Sequence, residues 1–359
     1  MSRLRAPTMI DVARLAGVST MTVSRALRPD GSASEATRAK IREAADALGY
    51  VLDSAAAGLS SRKSGFIAIT IPSMNNANFA DTVRGLTEAV ADKGLDVLMG
   101  YTDYRTAKEE QLIEAFLRRR PEAMVVTGGV HTERARRLLS SSGIPVVETW
   151  DLPDDPIDHV VGFSNAEAGR MMARYFIDRG YERIGFIGSQ DGRDTRGADR
   201  RAGFFDTLEE HGLSTDMVLA TGHPPVTMAD GADTINHLLD RYPDTQAVMS
   251  VSDLSAFGAL VACQRRGLQV PDDIVMAGFG AYDISSSCAP TITTIDVGAH
   301  QIGVRTGELI VDLLGQDPLD TQSRRIEMPL RFLERESTRQ AASVNHADVP
   351  KATLGWPTP

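Results

Sequence analysis

The stretch Met9-Ile10-Asp11-Val12-Ala13-Arg14-Leu15-Ala16-Gly17-Val18-Ser19 runs on through Thr20 and Met21 into Thr22-Val23-Ser24-Arg25-Ala26-Leu27. It carries the signals of two short helices and a tight turn. Thr8 stands before it as an N-cap, with an acid, Asp11, three residues on. Val12, Ala13 and Ala16 then fall on one helical face. Gly17 permits the turn, because glycine enters the left-handed region without steric cost. Ser19 caps a second helix, and Val18 and Val23 take the N′ and N4 positions of a hydrophobic staple. Val23, Ala26 and Leu27 form the buried stripe of that helix; Thr20, Met21, Ser24, Arg25 and Arg28 share its other side.

Downstream, Ser34 opens a third helix with Thr37 three residues on. Its inward positions are Ile41, Ala44, Ala45 and Leu48, and Gly49 ends it. Two short helices joined by a glycine turn, with a third packed on both, make a helix-turn-helix layout. The second helix is the one that enters a major groove, with its first turn nearest the base edges. Arg25 can pair bidentately with a guanine and Met21 can touch a thymine methyl. Ser19, Thr20 and Ser24 suit phosphate or mixed contacts. The plainer alternative, a helical cap with a solvated polar face, has the same pattern.

Charge is divided along the chain. The 359 residues carry a formal charge of −10. Residues 1–63 hold ten Lys or Arg against six acids, a net +4, which leaves −14 for the remainder. A basic head on an acidic body is the footprint of a protein that meets phosphates with one end only. No stretch approaches the roughly 20 apolar residues of a membrane span. Met1 to Pro7 has arginines but no apolar run behind them, so a secretory leader is not expected and a cytoplasmic location is. The two cysteines, Cys263 and Cys288, do not make a disulfide framework.

The head resembles the LacI family of bacterial repressors over Met9–Ser19 and Thr22–Leu27, and through Ser34, Thr37, Arg38 and Ile41 to Leu48-Gly49-Tyr50. The resemblance implies that Thr20, Met21 and Arg25 read bases. It also implies that residues 51–63 are a hinge that folds on DNA, with Leu59 wedged into the minor groove at the operator centre. An inserted apolar side chain of that kind unstacks and kinks the duplex. Two departures from the family pattern fall here: Leu52-Asp53 replaces Pro-Asn, and Gly58 weakens a hinge helix by about 1 kcal/mol relative to Ala.

From Phe66 onward strands and helices alternate. Strands are expected at Phe66–Ile71, Asp96–Met99, Met124–Val126, Val146–Val147, Ile184–Ile187, Ala247–Val251 and Ile274–Ala277. Helices are expected from about Phe79 to Lys93, from Thr106 with Glu109 as a capping box, from Asn165 to Arg179, around Gly203–His211 and over Ser255–Arg266. Such alternation implies parallel sheets covered on both faces, and the strand count calls for two lobes. The layout resembles type I periplasmic sugar-binding proteins, the sensor that the LacI family reuses. The resemblance covers roughly residues 8–336. It implies three crossings between lobes, near Gly162-Phe163, Thr293–Asp296 and Thr321–Arg325. Lobe 1 is then about 64–162 and 296–322, lobe 2 about 163–295 and 323–338, and 339–359 a disordered tail. The tail lacks a leucine heptad, so a homodimer is expected rather than a tetramer.

Ligands of open α/β sheets bind beyond the carboxyl ends of the strands. Position by position, the resemblance nominates Ser73, Asn76, Phe79, Glu148, Arg200, Ser252 and Asp253. Gly278-Phe279-Gly280-Ala281 lacks the aspartate that sugar-responsive members carry after the Gly-aromatic pair. Losing that acid favours an acidic ligand. Ile71-Pro72-Ser73, Asn78-Phe79-Ala80, Arg84-Gly85, Pro145–Glu148, Gly162-Phe163 and Cys263–Leu268 resemble the gluconate-repressor branch. A sugar acid is the expected effector, with Arg200 meeting its carboxylate, since Arg is the natural partner of that group.

Nothing calls for catalysis, a cofactor or a metal. The seven histidines do not fall at metal-ligand spacing, and neither a G-x-S-x-G elbow nor a P-loop occurs. The expectation is a repressor whose paired heads bind a pseudo-palindromic DNA operator. The competing readings are a solute-binding receptor, a regulator responding to a neutral sugar or purine, and an enzyme acting on a sugar acid.

Overall fold

The computed structural model describes residues 5–27, 33–51, 64–188, 192–220, 222–316 and 322–339. The Leu59 wedge, the hinge and the tail beyond 339 lie outside them. The chain divides into two compact units, Met1–Gly65 and Phe66–Pro359.

The first unit holds helices α1 (Met9–Ala16), α2 (Thr20–Ala26) and α3 (Glu35–Leu48). The Asp11 carboxylate accepts from both the amide and the hydroxyl of Thr8, at 2.9 and 2.6 Å. These bonds hold its pKa below the usual carboxylate range. Gly17 closes α1 in the left-handed region, at φ +63°. Ser19 and Ser34 accept from the amides of Thr22 and Thr37 and so cap α2 and α3. Val12, Ala13, Ala16, Val23, Ala26, Ile41, Ala44 and Ala45 make one core, with Val18, Leu27 and Leu48 packed against it. The small alanines let three short helices approach closely enough to share a core from so few residues.

The second unit has two parallel sheets. In lobe 1 the six-stranded order is β11-β5-β4-β3-β1-β2, with β1 at Phe66–Ile71, β2 at Asp96–Tyr101, β3 at Met124–Thr127, β4 at Val146–Thr149, β5 at His159–Gly162 and β11 at Arg325–Glu327. In lobe 2 the order is β7-β6-β8-β9, with β6 at Ile184–Gly188, β7 at Val218–Ala220, β8 at Ala247–Ser250 and β9 at Val275–Ala277. β10 (Thr294–Asp296) and β12 (Arg331–Leu333) pair antiparallel. Apolar β-branched runs such as Phe66–Ile71 are buried on both faces, as a helix-covered parallel sheet requires.

The helices are α4 (Ala77–Ala91), α5 (Thr106–Leu117), α6 (Glu133–Ser140), α7 (Asn165–Asp178), α8 (Thr195–Glu210), α9 (Met228–Arg241), α10 (Asp253–Arg265), α11 (Asp283–Ser287) and α12 (Ala299–Leu314). Three departures from the sequence expectations matter. The third crossing follows Glu327, not Thr321–Arg325, because Arg325–Glu327 still pairs with β5 in lobe 1. The Thr106 capping box does not form; Arg105 is the N-cap, and Glu109 turns inward to His131. Helix α8 starts at Thr195, eight residues before Gly203, because Asp194 caps it by accepting from the Gly197 amide.

Helices α7 and α8 meet backbone to backbone. A Cβ on Gly169 would lie 1.9 Å from the Arg200 carbonyl oxygen, and one on Gly203 2.1 Å from that of Ala166. Both contacts are main-chain, so the helices must part to admit a methyl. Gly203→Ala is expected to destabilise the second unit by about 1–3 kcal/mol, read as a lower urea midpoint at unchanged slope.

Candidate functional site

The outer face of α2 is open to solvent. Thr20, Met21 and Arg25 are exposed, Met21 at 67%, while Val23 and Ala26 are buried beneath them. Ser24 is half-buried on the same helix. Ser19 is occupied locally, capping α2 and exchanging a 2.9 Å hydrogen bond with the Thr22 hydroxyl. Arg25 sits in the last turn of an otherwise uncharged helix. A long donor-bearing side chain and one apolar side chain on a rigid rod are what major-groove readout uses.

The second unit contains a cleft of about 310 Å³, walled by both lobes. Lobe 1 supplies Asn76, Phe79, Tyr104 and Trp150; lobe 2 supplies Asp194, Arg196, Arg200, Ser252, Phe279 and Tyr282. Its base is a chain of aromatic rings, with Phe79 on Trp150, Trp150 on Phe163, and Phe163 on Phe279 at centroid distances of 4.9, 5.7 and 6.1 Å. The Arg200 guanidinium lies 4.1 Å above the Phe279 ring and is 7% exposed. It donates to Asn165 Oδ1 at 2.5 Å and to the Val251 carbonyl at 3.4 Å, and its buried Nε has no partner. Among the described residues no carboxylate lies within ion-pair distance of Arg200 or Arg196. Burial pulls the Arg200 pKa down while Asp194 opposes the fall. Tyr104 is pushed up to about 12 by burial and by Asp194, and Tyr282 well above its ordinary value by burial, so both hydroxyls stay neutral donors.

The cleft is tied to the joint between lobes. Asn165, which accepts from Arg200, donates through Nδ2 to the Trp150 carbonyl at 3.0 Å. Arg196, rooted in lobe 2, donates to the Thr127 carbonyl of lobe 1 at 3.3 Å. Asn78 donates from lobe 1 to the Gly280 carbonyl of lobe 2 at 2.8 Å. Asn165 thus links the Arg200 guanidinium to the backbone of lobe 1.

Of the seven residues nominated from sequence, Asn76, Phe79, Arg200 and Ser252 line the cleft. Ser73 is buried next to it, its hydroxyl accepting from the Asn75 amide and shaping the loop. Asp253 is buried behind it, accepting from the Tyr282 amide and the Thr294 hydroxyl; burial outweighs these bonds and raises its pKa to about 6. Glu148 is not brought to the cleft. It is fully buried, with one oxygen accepting from the Ile157 amide and the other 3.4 Å from His131.

His131 also meets Glu109 at 2.8 Å. Burial alone would depress its pKa, but the hydrogen bonds and charges of Glu109 and Glu148 outweigh this and raise it to about 9. A histidine raised in the fold contributes stability that is complete below its unfolded value and lost as pH rises through the folded one. The second unit should therefore lose up to about 1.4 kcal/mol per pH unit between pH 6.5 and 9. Denaturant melts over that range check this, and His131→Gln should flatten the dependence; an equal slope in the variant would remove His131 as its source.

Asp194, Arg196, Tyr104 and the Pro224–Met228 loop were not nominated; Trp150 and Tyr282 lie beyond the carboxyl ends of β4 and β9, in the stretches Glu148–Asp151 and Gly278–Asp283 where a ligand is expected, but were not singled out. The available signal was the spacing of Arg196 and Arg200, four apart and hence on one helical face.

A helix-turn-helix head followed by a two-lobed module with a cleft between the lobes defines a ligand-responsive, sequence-specific DNA-binding regulator. The family model described as bacterial regulatory proteins, lacI family, matches residues 8–53, and that of the periplasmic binding protein-like domain matches 173–338. The HTH-type transcriptional regulator GntR of Pseudomonas aeruginosa PAO1 is 35% identical over 92% of this chain and 96% of its own. The GntR of Escherichia coli K12 is 32% identical over 83% and 88%. A LacI family transcriptional regulator from Silicibacter pomeroyi superposes with TM-score 0.87 at 33% identity, over 93% of this chain and all of that one. The transcription regulator GntR from Chromobacterium violaceum does so with TM-score 0.70 at 31% identity, over 76% and 99%. The chain belongs to the lacI family of bacterial regulators. No helix among the described residues is long and apolar enough to cross a membrane, and none of their His, Cys, Asp and Glu clusters could hold a metal ion.

Proposed function

We propose that the protein is a homodimeric repressor whose hold on a pseudo-palindromic operator is switched by a sugar acid bound between the lobes. The observation that carries this reading is the Arg200 guanidinium, buried, without a carboxylate and with Nε unsatisfied. A buried cation is costly until an anion meets it, and a carboxylate matches the guanidinium fork. Arg196 adds a second positive charge and Asp194 one negative, so the cleft suits a monoanion. Asp194 uses one oxygen on its own helix and leaves the other to accept ligand hydroxyls. Tyr104, Tyr282 and Asn76 offer further polar contacts, and the Phe279 and Phe79 rings face the carbon skeleton. That combination fits a polyhydroxylated carboxylic acid of the gluconate or keto-gluconate kind.

Switching follows from the bonds between cleft and joint. A ligand that favours one lobe angle shifts the population toward it, and a coupling of about 1–3 kcal/mol is enough to alter operator affinity 5–150-fold. A two-fold dimer matches a two-fold site, and Leu59 is the side chain proposed to enter its central minor groove. Calorimetry with gluconate, a keto-gluconate, glucose and a purine tests the ligand class. Binding of the aldonates alone is expected; binding of glucose or the purine alone would overturn the reading.

A further inference from the structure

Asn165 is the first residue of α7, three residues after β5 ends at Gly162. Ser164 caps that helix by accepting from the Glu167 amide at 3.1 Å, so the Asn165 side chain is not needed there. It turns inward instead and is 2% exposed. It is not part of the cleft wall, but it touches a residue that is. A guanidinium only donates and a peptide carbonyl only accepts, so the two partners fix the way the amide faces. Its Oδ1 meets Arg200 Nη1 at 2.5 Å and its Nδ2 meets the Trp150 carbonyl at 3.0 Å. The bond of Arg200 to the Val251 carbonyl, by contrast, stays within lobe 2.

Both partners of the amide are held in place. On the Arg200 side, α7 and α8 touch through their backbones at Gly169, one turn from Asn165, with no room for a Cβ against the Arg200 carbonyl. On the other side, Trp150 sits at φ +68°, in the left-handed region that a bulky side chain rarely enters. Its ring is packed between Phe79 and Phe163, and its indole N–H donates to the Thr82 hydroxyl at 3.2 Å. The carbonyl that Asn165 reaches therefore belongs to a residue fixed at both backbone and ring. Arg196 to Thr127 and Asn78 to Gly280 also join the lobes, but neither bond passes through Arg200.

We propose that Asn165 is a positioning residue that sets the effector response: it aims Arg200 at the ligand without neutralising it, and it passes a shift of that guanidinium to the backbone of lobe 1. The proposal rests on Arg200 as the anchor of an acidic ligand in the cleft. The residue type matters as much as the place. A neutral acceptor satisfies one N–H of the guanidinium and leaves its charge for the ligand's carboxylate. An aspartate of the same shape would compete with that carboxylate and would turn an acceptor, not a donor, toward the Trp150 carbonyl. An alanine would keep the charge of Arg200 free but break the link to lobe 1.

Asn165→Asp and Asn165→Ala in the full chain test this, with gluconate titrated by calorimetry and operator binding measured with and without saturating gluconate. Asn165→Asp should weaken gluconate binding by about tenfold or more, and further than Asn165→Ala does, because the introduced carboxylate takes the ligand's place on Arg200. A merely structural role gives the opposite order, since aspartate is isosteric and alanine leaves a hole. Asn165→Ala should hold gluconate within about tenfold of the wild type, yet bring the operator response to within about twofold of none. Urea melts show which variants are folded, and the isosteric Asn165→Asp carries the affinity test by itself if Asn165→Ala is not. Gluconate bound by folded Asn165→Asp as tightly as by the wild type overturns the proposal. So does a full operator response in Asn165→Ala. If the wild type does not bind gluconate, the sugar-acid reading fails. The operator test then runs with glucose or the purine, whichever binds, and a full response in Asn165→Ala still overturns the role of Asn165.

Discussion

Arg200→Ala should abolish the effector response while leaving operator binding in place. Removing one partner of a buried charge pair costs about 2–5 kcal/mol, or roughly 30-fold to several thousand-fold in affinity. Arg200 is placed to show the full effect. It is buried against Phe279, holds Asn165 through a 2.5 Å hydrogen bond, and keeps its Nε unsatisfied. The variant also frees Asn165 from the cleft while leaving its bond to the Trp150 carbonyl, so the ligand loses both its anchor and its lever on the joint. Operator titrations with and without gluconate check this. A normal gluconate response in a folded Arg200→Ala protein would take Arg200 out of the site.

Arg25→Ala should collapse the preference for specific over random DNA. A bidentate arginine–guanine contact is worth about 1–3 kcal/mol of discrimination, and a dimer makes it at both half-sites. The two contacts together give about 2–6 kcal/mol, an expected loss of specificity of about 30-fold to 25,000-fold. Nonspecific binding should fall much less, because it depends on the summed positive charge of the head. Stability should hardly change, since Arg25 is exposed and the head core is built by other residues. Competition titrations with operator and random duplex give the ratio directly; an unchanged ratio would remove Arg25 from base readout.

The head was legible in the sequence because its determinants are local. Thr8 with Asp11, Ser19 with Thr22, Ser34 with Thr37, and the glycines at 17 and 49 each act within a few residues. The glycine turn, capping hydroxyls and alanine faces could be read from spacing alone. The alternation of buried runs in the second unit was legible for the same reason. Helices α9 and α12 were not read from the sequence, although their apolar faces are as regular as those of the helices that were, and the three-residue edge strand β11 is specified by its pairing with β5.

The cleft shows where local reading stops. Arg200 could be reached from the motif around Gly203, and Asn76, Phe79 and Ser252 from their places after strands. Glu148 could not be assigned that way. Strand residues alternate faces, and its register sends the carboxylate to His131 and Glu109, which lie 17 and 39 residues earlier in the chain. Asp194 and Arg196 became visible only once α8 was seen to begin eight residues before Gly203.

The amino-acid order by itself determined three capped helices with an exposed reading face and a doubly wound, two-lobed body. Tertiary structure alone decided which charges are buried without a carboxylate beside them among the described residues. Arg196 and Arg200 are ordinary arginines in the chain; only the tertiary fold strips them of water and places them in the wall of the cleft. Desolvation depends on what surrounds a group from every direction, and no local stretch of sequence carries that information.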